Sequence, residues 1–328
     1  MKIVVTGGAG YIGSAATHRL AADGHDVLVI DNLHQGHTAA LPEGARFVNV
    51  DITDADAMRQ AVSDFQPEAA MHFAALTIAP ESVTDPAPFW RVNLTGTLNL
   101  LDAMRAAGTS KLVFSSTAAV YGVPEHLPVR EDAAKAPINP YGATKLAAEH
   151  AIATYARAYG ISTAVLRYFN VAGASVEIGE DHTPETHLIP NVLFAAAGRA
   201  PTLTVFGTDF PTRDGTAIRD YVHVLDLADA HTLALESLQT GEGSMGAFNL
   251  GTRDGATVRE VVETVERVTG KSVPVQYADR RPGDPPVLVA DSTRAREVLG
   301  WEPRRSTLDE MVGSAWQWFQ AHPGGYAE

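Results

Sequence analysis

The chain has 328 residues, 45% of them hydrophobic, enough to bury a large core as one two-lobed unit or two domains. Its 39 acidic and 25 basic side chains leave a formal net charge of −14. With no basic run to offset that charge, nucleic acid and anionic membranes are excluded as partners. Cysteine is absent, which removes disulfides, thiolate metal sites and thiol catalysis. No apolar run approaches the roughly 18 residues of a membrane span, and Met1 leads straight into an apolar stretch without a leader-like segment. These features set the expectation of a cytoplasmic protein.

The first element is the apolar run Ile3–Val5, read as a short buried strand. It meets Gly7, Gly10 and Gly13 at a G-x-x-G-x-x-G spacing, and an amphipathic segment carrying Ile12, Ala15, Ala16 and Leu20 follows at once. Strand, glycine turn and helix together point backbone N–H groups and a helix N-terminus at a pyrophosphate. The glycines allow a tight turn, close phosphate approach and close packing of helix on sheet. A second apolar run, Val27–Ile30, ends in Asp31, where a carboxylate accepts both hydroxyls of an adenosine ribose. A 2′-phosphate there would meet negative charge, and no arginine follows in Asp31-Asn32-Leu33-His34, so NAD is favoured over NADP. A third run, Arg46–Val50, ends in Asp51-Ile52, placed either to contact adenine or, through Asp51, to cap the next helix.

Further strands are expected at 69–73, 111–115 and 162–168, with helical patterns between them and turn signals at Gly24, Gly108 and Gly160. Apolar strands alternating with helices imply a parallel sheet covered on both faces. The fold class is therefore α/β: a Rossmann-type doubly wound parallel sheet with a smaller mixed α/β substrate-binding lobe. After about residue 175 the pattern loosens. Segment 175–187 is polar, with Gly179, Pro184 and two histidines, and 207–219 is rich in turn residues. Residues 222–238 and 247–250 read as a helix and strand returning to the sheet. The expected division is 1–175 with 222–252 as the cofactor domain, and 176–221 with 253–328 as the second lobe.

Candidate chemistry sits at residues 113–145. Val113–Thr117 reads as a strand whose end carries hydroxyls, at the carboxyl edge where open α/β sheets bind ligands. In Asn139-Pro-Tyr-Gly-Ala-Thr-Lys145, Asn139 suits an N-cap and Pro140 the first helical position. Tyr141 and Lys145 then share one helix face. A phenol of pKa about 10 is a poor base. A neighbouring ammonium and a cationic nicotinamide ring are expected to lower it into a useful range. Thr117 is expected to relay the proton or hold the substrate hydroxyl. The histidines show no H-E-x-x-H or similar spacing, so no metal is assigned.

TGGAGYIG, Asp31-Asn32, His72-Phe-Ala-Ala75, FSSTAAVYG and the Tyr141/Lys145 pair together resemble the extended short-chain dehydrogenase/reductase family. Within it, the chain is similar to the UDP-glucose 4-epimerases essentially from end to end. Arg167-Tyr-Phe-Asn170, Gly207…Asp214-Gly-Thr, Arg219-Asp-Tyr-Val-His223, Arg280-Arg-Pro-Gly-Asp284 and His322-Pro-Gly-Gly-Tyr326 carry that narrower likeness. The resemblance implies NAD contacts from Gly7, Gly10, Tyr11, Ile12, Gly13, Asp31, Asn32, Asp51, Ile52, Phe73, Ala74, Ala75, Asn93, Ser115, Tyr141, Lys145 and Phe169. It implies UDP-sugar contacts from Thr117, Tyr141, Asn170, His187, Leu188, Thr204, Phe206, Arg219, Arg281, Asp284 and Leu288. Arg219 and Arg281 suit bidentate phosphate contact, and Asp284 suits ribose hydroxyls. The plainer readings are a salt bridge between Arg219 and Asp220, a helix-capping His187, and His223 as a packed core residue.

The reaction implied is reversible inversion of C4 of a UDP-hexose through a 4-keto sugar, with NAD bound throughout, Tyr141 as base and a homodimer as the assembly. UDP-pentose and UDP-uronate epimerases are the nearest alternatives, and an NAD-binding regulatory module is the alternative of another class. Dehydratases of this family place an Asp-Glu pair after the catalytic threonine, whereas Ala118-Ala119 stand here. Two departures from the epimerase pattern matter. Thr77 replaces a basic residue at the nicotinamide ribose, implying weaker cofactor retention. Leu288 replaces a bulky tyrosine, implying room for UDP-GlcNAc and UDP-GalNAc.

Overall fold

The computed structural model describes residues 1–281 and 284–327. Strands β1 (Lys2–Thr6), β2 (Asp26–Asp31), β3 (Arg46–Asn49), β4 (Ala69–His72), β5 (Lys111–Thr117) and β6 (Ser162–Tyr168) alternate with helices through the first half. Then come the short strands β7 (Asn170–Ala172), β8 (Leu203–Phe206), β9 (Ile218–Arg219) and β10 (Tyr221–His223), and the longer β11 (Ser244–Leu250). The last are β12 (Ala256–Thr257), β13 (Val275–Ala278) and β14 (Val287–Leu288). Seven strands form one sheet in the order β11-β6-β5-β4-β1-β2-β3, and every pairing within it is parallel.

Side-chain alternation along these apolar strands explains the two covered faces. Ile3, Val5, Val27, Val29, Met71, Val113 and Leu166 join one core with Leu227, Leu235 and Trp301. Val4, Leu28, Ile30, Ala70, Phe114 and Val165 join another with Met58, Leu101, Met104 and Ile152. A strand with water on one face would need polar residues at every second position, whereas the central strands β1, β4 and β5 are buried on both faces through most of their length. The second lobe has its own core, in which Val192 and Leu193 meet Val205, Val261, Val265 and Met311.

The expected helix at 222–238 is shorter and starts later, at Val224–Ser237. Tyr221–His223 is instead a strand, pairing in parallel with β7 in register Tyr221↔Asn170. The helical period of the sequence continues into this β segment, and only tertiary pairing divides it. His223 then caps the helix, its ring Nδ1 accepting from the amide of Leu225 at 3.1 Å.

Three buried histidines tie layers together. His72 lies between the hydroxyls of Thr6 at 2.6 Å and Thr97 at 2.9 Å, and burial pushes it down to about 3. Burial likewise brings His223 and His231 down to about 4. All three stay neutral in the fold and gain a proton when the chain unfolds below their ordinary pKa of about 6.5. Depressed values of this kind contribute stability that is present above pH 6.5 and lost as pH falls toward 4. Each extra proton carries a slope of about 1.4 kcal/mol per pH unit. Urea unfolding at pH 7 and pH 5 should therefore show a marked loss on acidification, and equal stability at both would contradict the neutral assignment.

Candidate active site

β1 passes into the first helix, Tyr11–Ala22, through a turn with no spare room. Gly7 has φ +72°, and a Cβ on it would lie 2.4 Å from the amide nitrogen of Ala74. A Cβ on Gly13 would lie 2.0 Å from the carbonyl oxygen of Gly7. The helix starts at Gly10 with no side-chain cap, so its first N–H groups stay available to a phosphate. Asp31 closes the cradle from β2, its carboxylate accepting from the amides of Ala9 at 3.0 Å and Leu33 at 2.8 Å. Burial raises the Asp31 carboxyl, while these amides work against the shift. A cradle with free helix amides, no tolerance for side chains and a carboxylate on the neighbouring strand fits a dinucleotide pyrophosphate and ribose.

The adenine side is built by Asp51 and Asn32. Asp51 accepts from the amide and hydroxyl of Thr53 at 2.8 and 2.7 Å and from Asn32 Nδ2 at 2.9 Å, which holds its carboxyl below the usual range. It does not cap the following helix; Asp54 does, accepting from the amides of Asp56 and Ala57. Ile52 is buried. Phe73 and Ala74 lie at the end of β4, both amides donating to the Thr6 carbonyl, with Ala75 following. Asn93 spans a gap: its carbonyl accepts from the Leu76 amide at 2.8 Å, and its Nδ2 donates to the Leu76 carbonyl and to Thr144 at 3.0 and 3.1 Å. Tyr11 donates its hydroxyl to the Gly173 carbonyl at 2.5 Å, joining the glycine turn to the second half of the chain, while Ile12 packs against the core.

The helix Pro140–Tyr159 starts as its sequence requires, with the Asn139 side chain accepting from the Gly142 amide at 2.8 Å. Lys145 is buried and donates to the Ser115 carbonyl at 2.9 Å, with its ammonium 4.8 Å from the Phe114 ring centroid. Burial lowers it to about 7, against the pull of Glu149. Burial raises Tyr141, and the nearby Thr117 hydroxyl offsets that only in part. The expectation joins Lys145 with a cationic nicotinamide ring, and Lys145 alone does not bring Tyr141 into the neutral range. Lys145 is out of water and Tyr141 is half-buried, and the ammonium is turned to a carbonyl.

Glu149, one turn beyond Lys145, went unnoticed in the sequence. It is buried and accepts from Ser116 at 2.5 Å and from Arg167 Nε at 2.9 Å. Arg167 also donates to the Tyr121 hydroxyl at 2.8 Å. Ser115 Oγ pairs with His231 Nε2 at 2.8 Å. These partners come from β6 and from the returning helix, and no local motif announces them.

On the second lobe, Arg219 pairs with Asp284 at 3.2 Å and donates to the Pro285 carbonyl at 2.9 Å. Its sequence neighbour Asp220 is not its partner: that carboxylate accepts from the amides of Thr252, Arg253 and Ala290. The Arg281 guanidinium lies 3.9 Å from the Phe206 ring centroid. Thr204, on the same strand, accepts from Gln276 at 2.7 Å. Pro282 and Gly283, within the Arg280–Asp284 motif, lie outside the described residues. Asn170 donates to the Asp220 carbonyl at 3.1 Å. Leu288 sits opposite Arg219 in the β14–β9 register and packs with Phe169 on Val120 and Tyr121, just beyond Thr117.

His187 precedes the helix Leu188–Ala196 without a side-chain cap bond. Its Nδ1 instead lies 2.7 Å from Glu180 and 2.8 Å from Glu185, and these carboxylates raise it to about 11 against the effect of burial. Leu188 packs on the second-lobe core.

A model of the NAD dependent epimerase/dehydratase family matches residues 3–251. A protein of Lactobacillus helveticus named UDP-glucose 4-epimerase is 48% identical over 330 residues, covering 100% of both chains. The solved UDP-glucose 4-epimerase from Brucella ovis in complex with NAD is similar at TM-score 0.94 and 49% identity, covering 97% of this chain and 98% of that one. One from Stenotrophomonas maltophila, with bound NAD and formylated UDP-arabinopyranose, is similar at TM-score 0.94 and 40% identity, covering 98% and 99%.

The Glu149–Arg167 pair has side chains only 8% and 4% exposed. Glu149→Ala should leave a buried guanidinium without its counter-ion, at a cost of about 3–5 kcal/mol. Urea denaturation measures this, and a loss below about 1 kcal/mol would show that the pair is solvated.

Proposed function

The chain belongs to the NAD dependent epimerase/dehydratase family, and on that premise we infer that it inverts C4 of a UDP-hexose reversibly, interconverting UDP-glucose and UDP-galactose. The observation that carries the mechanism is the bond from Lys145 to the Ser115 carbonyl, which fastens the Tyr141 helix to β5 beside Thr117, at the carboxyl edge of the sheet that bears the dinucleotide cradle. NAD held by Gly7, Gly10, Gly13 and Asp31 supplies a hydride acceptor and donor and, in its oxidised form, a positive ring. Tyr141 then accepts the 4-hydroxyl proton, with Thr117 as its relay, as C4 becomes a carbonyl. It returns that proton when C4 is reduced on the opposite face. Lys145, close to half-charged near pH 7, adds positive potential beside the phenol without being locked in a salt bridge.

Between the two half-reactions the 4-keto sugar must turn over, which requires a firm grip on UDP and a loose one on the hexose. The Arg281–Phe206 stack, the Arg219–Asp284 pair and Asn170 supply the grip in this reading, with Thr204, His187 and Leu188 at its margin. The wall near the hexose is apolar, with Leu288 and Phe169 on Val120 and Tyr121. A cytoplasmic location and a homodimer belong to the same proposal, and no described helix is long and apolar enough to cross a membrane.

Incubation with UDP-galactose and no added NAD should yield UDP-glucose. Tyr141→Phe should lower kcat by about 10³ or more while NAD still co-purifies; undiminished turnover would remove Tyr141 from the base role. The side chain of Leu288 sets the space beside the sugar 2-position, so UDP-GlcNAc should also be epimerised. Leu288→Tyr should abolish that activity and spare UDP-galactose, and a wild type inactive on UDP-GlcNAc overturns the specificity assignment.

A further inference from the structure

The polar loop between the two lobes gathers four metal-ligating side chains that the epimerisation does not use as a group. Glu180, His182, Glu185 and His187 each present one ligand atom, and all four atoms lie within 4.8 Å of one another. The set follows an E-x-H-x-x-E-x-H spacing on irregular backbone, which explains why a search for helical histidine spacing passes over it. Oε2 of Glu185, on a side chain only 5% exposed, is buried without a hydrogen bond. Nδ1 of His182 is also buried without a well-aligned hydrogen bond and has only Glu180 beside it, at 3.4 Å. The other oxygen of Glu185 is fully engaged by the amides of Thr186 and His187 and by His187 Nδ1. An orphaned carboxylate oxygen next to a poorly aligned imidazole–carboxylate contact departs from the rule that buried polar atoms are satisfied.

We propose that Glu180, His182, Glu185 and His187 bind one divalent transition-metal ion of the zinc class in a closed, four-coordinate structural site. Two carboxylates and two imidazoles balance a dication to zero net charge, with His187 releasing its proton to solvent as the ion enters, which suits a largely covered position. Two nitrogens and two oxygens match the ligand preference of zinc better than that of calcium or magnesium, which favour all-oxygen shells. Metal–ligand bonds of about 2.0–2.1 Å put tetrahedral ligand atoms about 3.3 Å apart. The Glu180–His187 and Glu180–His182 separations of 2.7 and 3.4 Å bracket that value, so sub-ångström shifts suffice for this part of the shell.

The surroundings hold the loop ready. Asp181 accepts from the Tyr326 amide at 2.9 Å, Gln35 exchanges two hydrogen bonds with the backbone of Thr183, and the Tyr11 ring meets His182 edge-on at 6.4 Å. A metal here would tie the loop that touches the glycine turn through Tyr11 to the helix that starts at Leu188. Four protein ligands leave no open position, so the role is structural rather than catalytic.

The test uses full-length protein without an affinity tag, stripped with EDTA and titrated with zinc chloride, and separately with magnesium chloride. The expected result is one zinc per chain retained through gel filtration, measured by mass spectrometry of the metal. The zinc-loaded protein should also show a Tm at least about 2 °C above that of the stripped protein. Magnesium should do neither, and cobalt loading should give the visible spectrum of a tetrahedral site. His182→Ala and Glu185→Gln should each weaken zinc by at least about tenfold. Wild-type protein that retains no zinc and shows no Tm change overturns the proposal, as does undiminished zinc affinity in both His182→Ala and Glu185→Gln. If the variants do not fold, the wild-type titration alone decides.

Discussion

The hydrogen bond from Lys145 to the Ser115 carbonyl is the interaction on which the arrangement of the active site depends. It fastens the helix that carries Tyr141 to the end of β5, where Thr117 lies. An amine can be held against a carbonyl in a water-free space only if its charge is tolerated there. Glu149, one turn further along the helix, supplies the compensating field. Glu149 is in turn shared with Arg167 on β6 and Ser116 on β5. The result is a chain of opposite charges crossing from helix to sheet, in which every member is buried and has a partner. Lys145 sits at the end of that chain with its proton only loosely held.

This explains why Tyr141 is not a phenolate in the protein alone. Burial disfavours the charged phenol, and the ammonium is directed to a carbonyl. A base activated without its cofactor would bind protons and solvent unproductively. In the proposed C4 epimerisation the positive ring belongs to the same oxidised NAD that accepts the hydride. On that reading Tyr141 becomes basic only when oxidation is also available, and proton and hydride transfer are coupled by electrostatics rather than by a moving part.

Much of this was legible in the chain. The parallel sheet follows from apolar runs separated by helical periods, and the glycine turn, Asp31, the Asn139 cap and the Tyr141/Lys145 pair are local patterns whose geometry the backbone enforces. The unread features are all long-range. Arg219 chose Asp284, 65 residues away, over adjacent Asp220, because Asp220 is buried against three amides of other segments. Glu149 and His231 looked like ordinary helix residues until β5 and β6 were laid beside them. The split between β10 and the helix after it depends on pairing with β7, which no periodicity reports. Local chemistry is written in spacing, whereas charge pairing in a doubly wound fold is decided by which strands become neighbours.

The division of labour between the two lobes follows from the same principle. UDP carries the charge and the hydrogen-bonding groups, so in the proposed reading guanidiniums, a carboxylate and amides on the irregular segments hold it. The hexose must present both faces of C4 to one cofactor, so strong directional contacts to it would oppose the turn. The apolar cluster of Val120, Tyr121, Phe169 and Leu288 provides such a surface beside Thr117, because dispersion contacts are nearly indifferent to rotation. β14 connects the two demands: Leu288 is paired in register with Arg219. In the proposed reading, the residue on the apolar wall and the anchoring Arg219 are thus neighbours across one short ladder, so a substitution at Leu288 that disturbs the ladder also reaches the anchor.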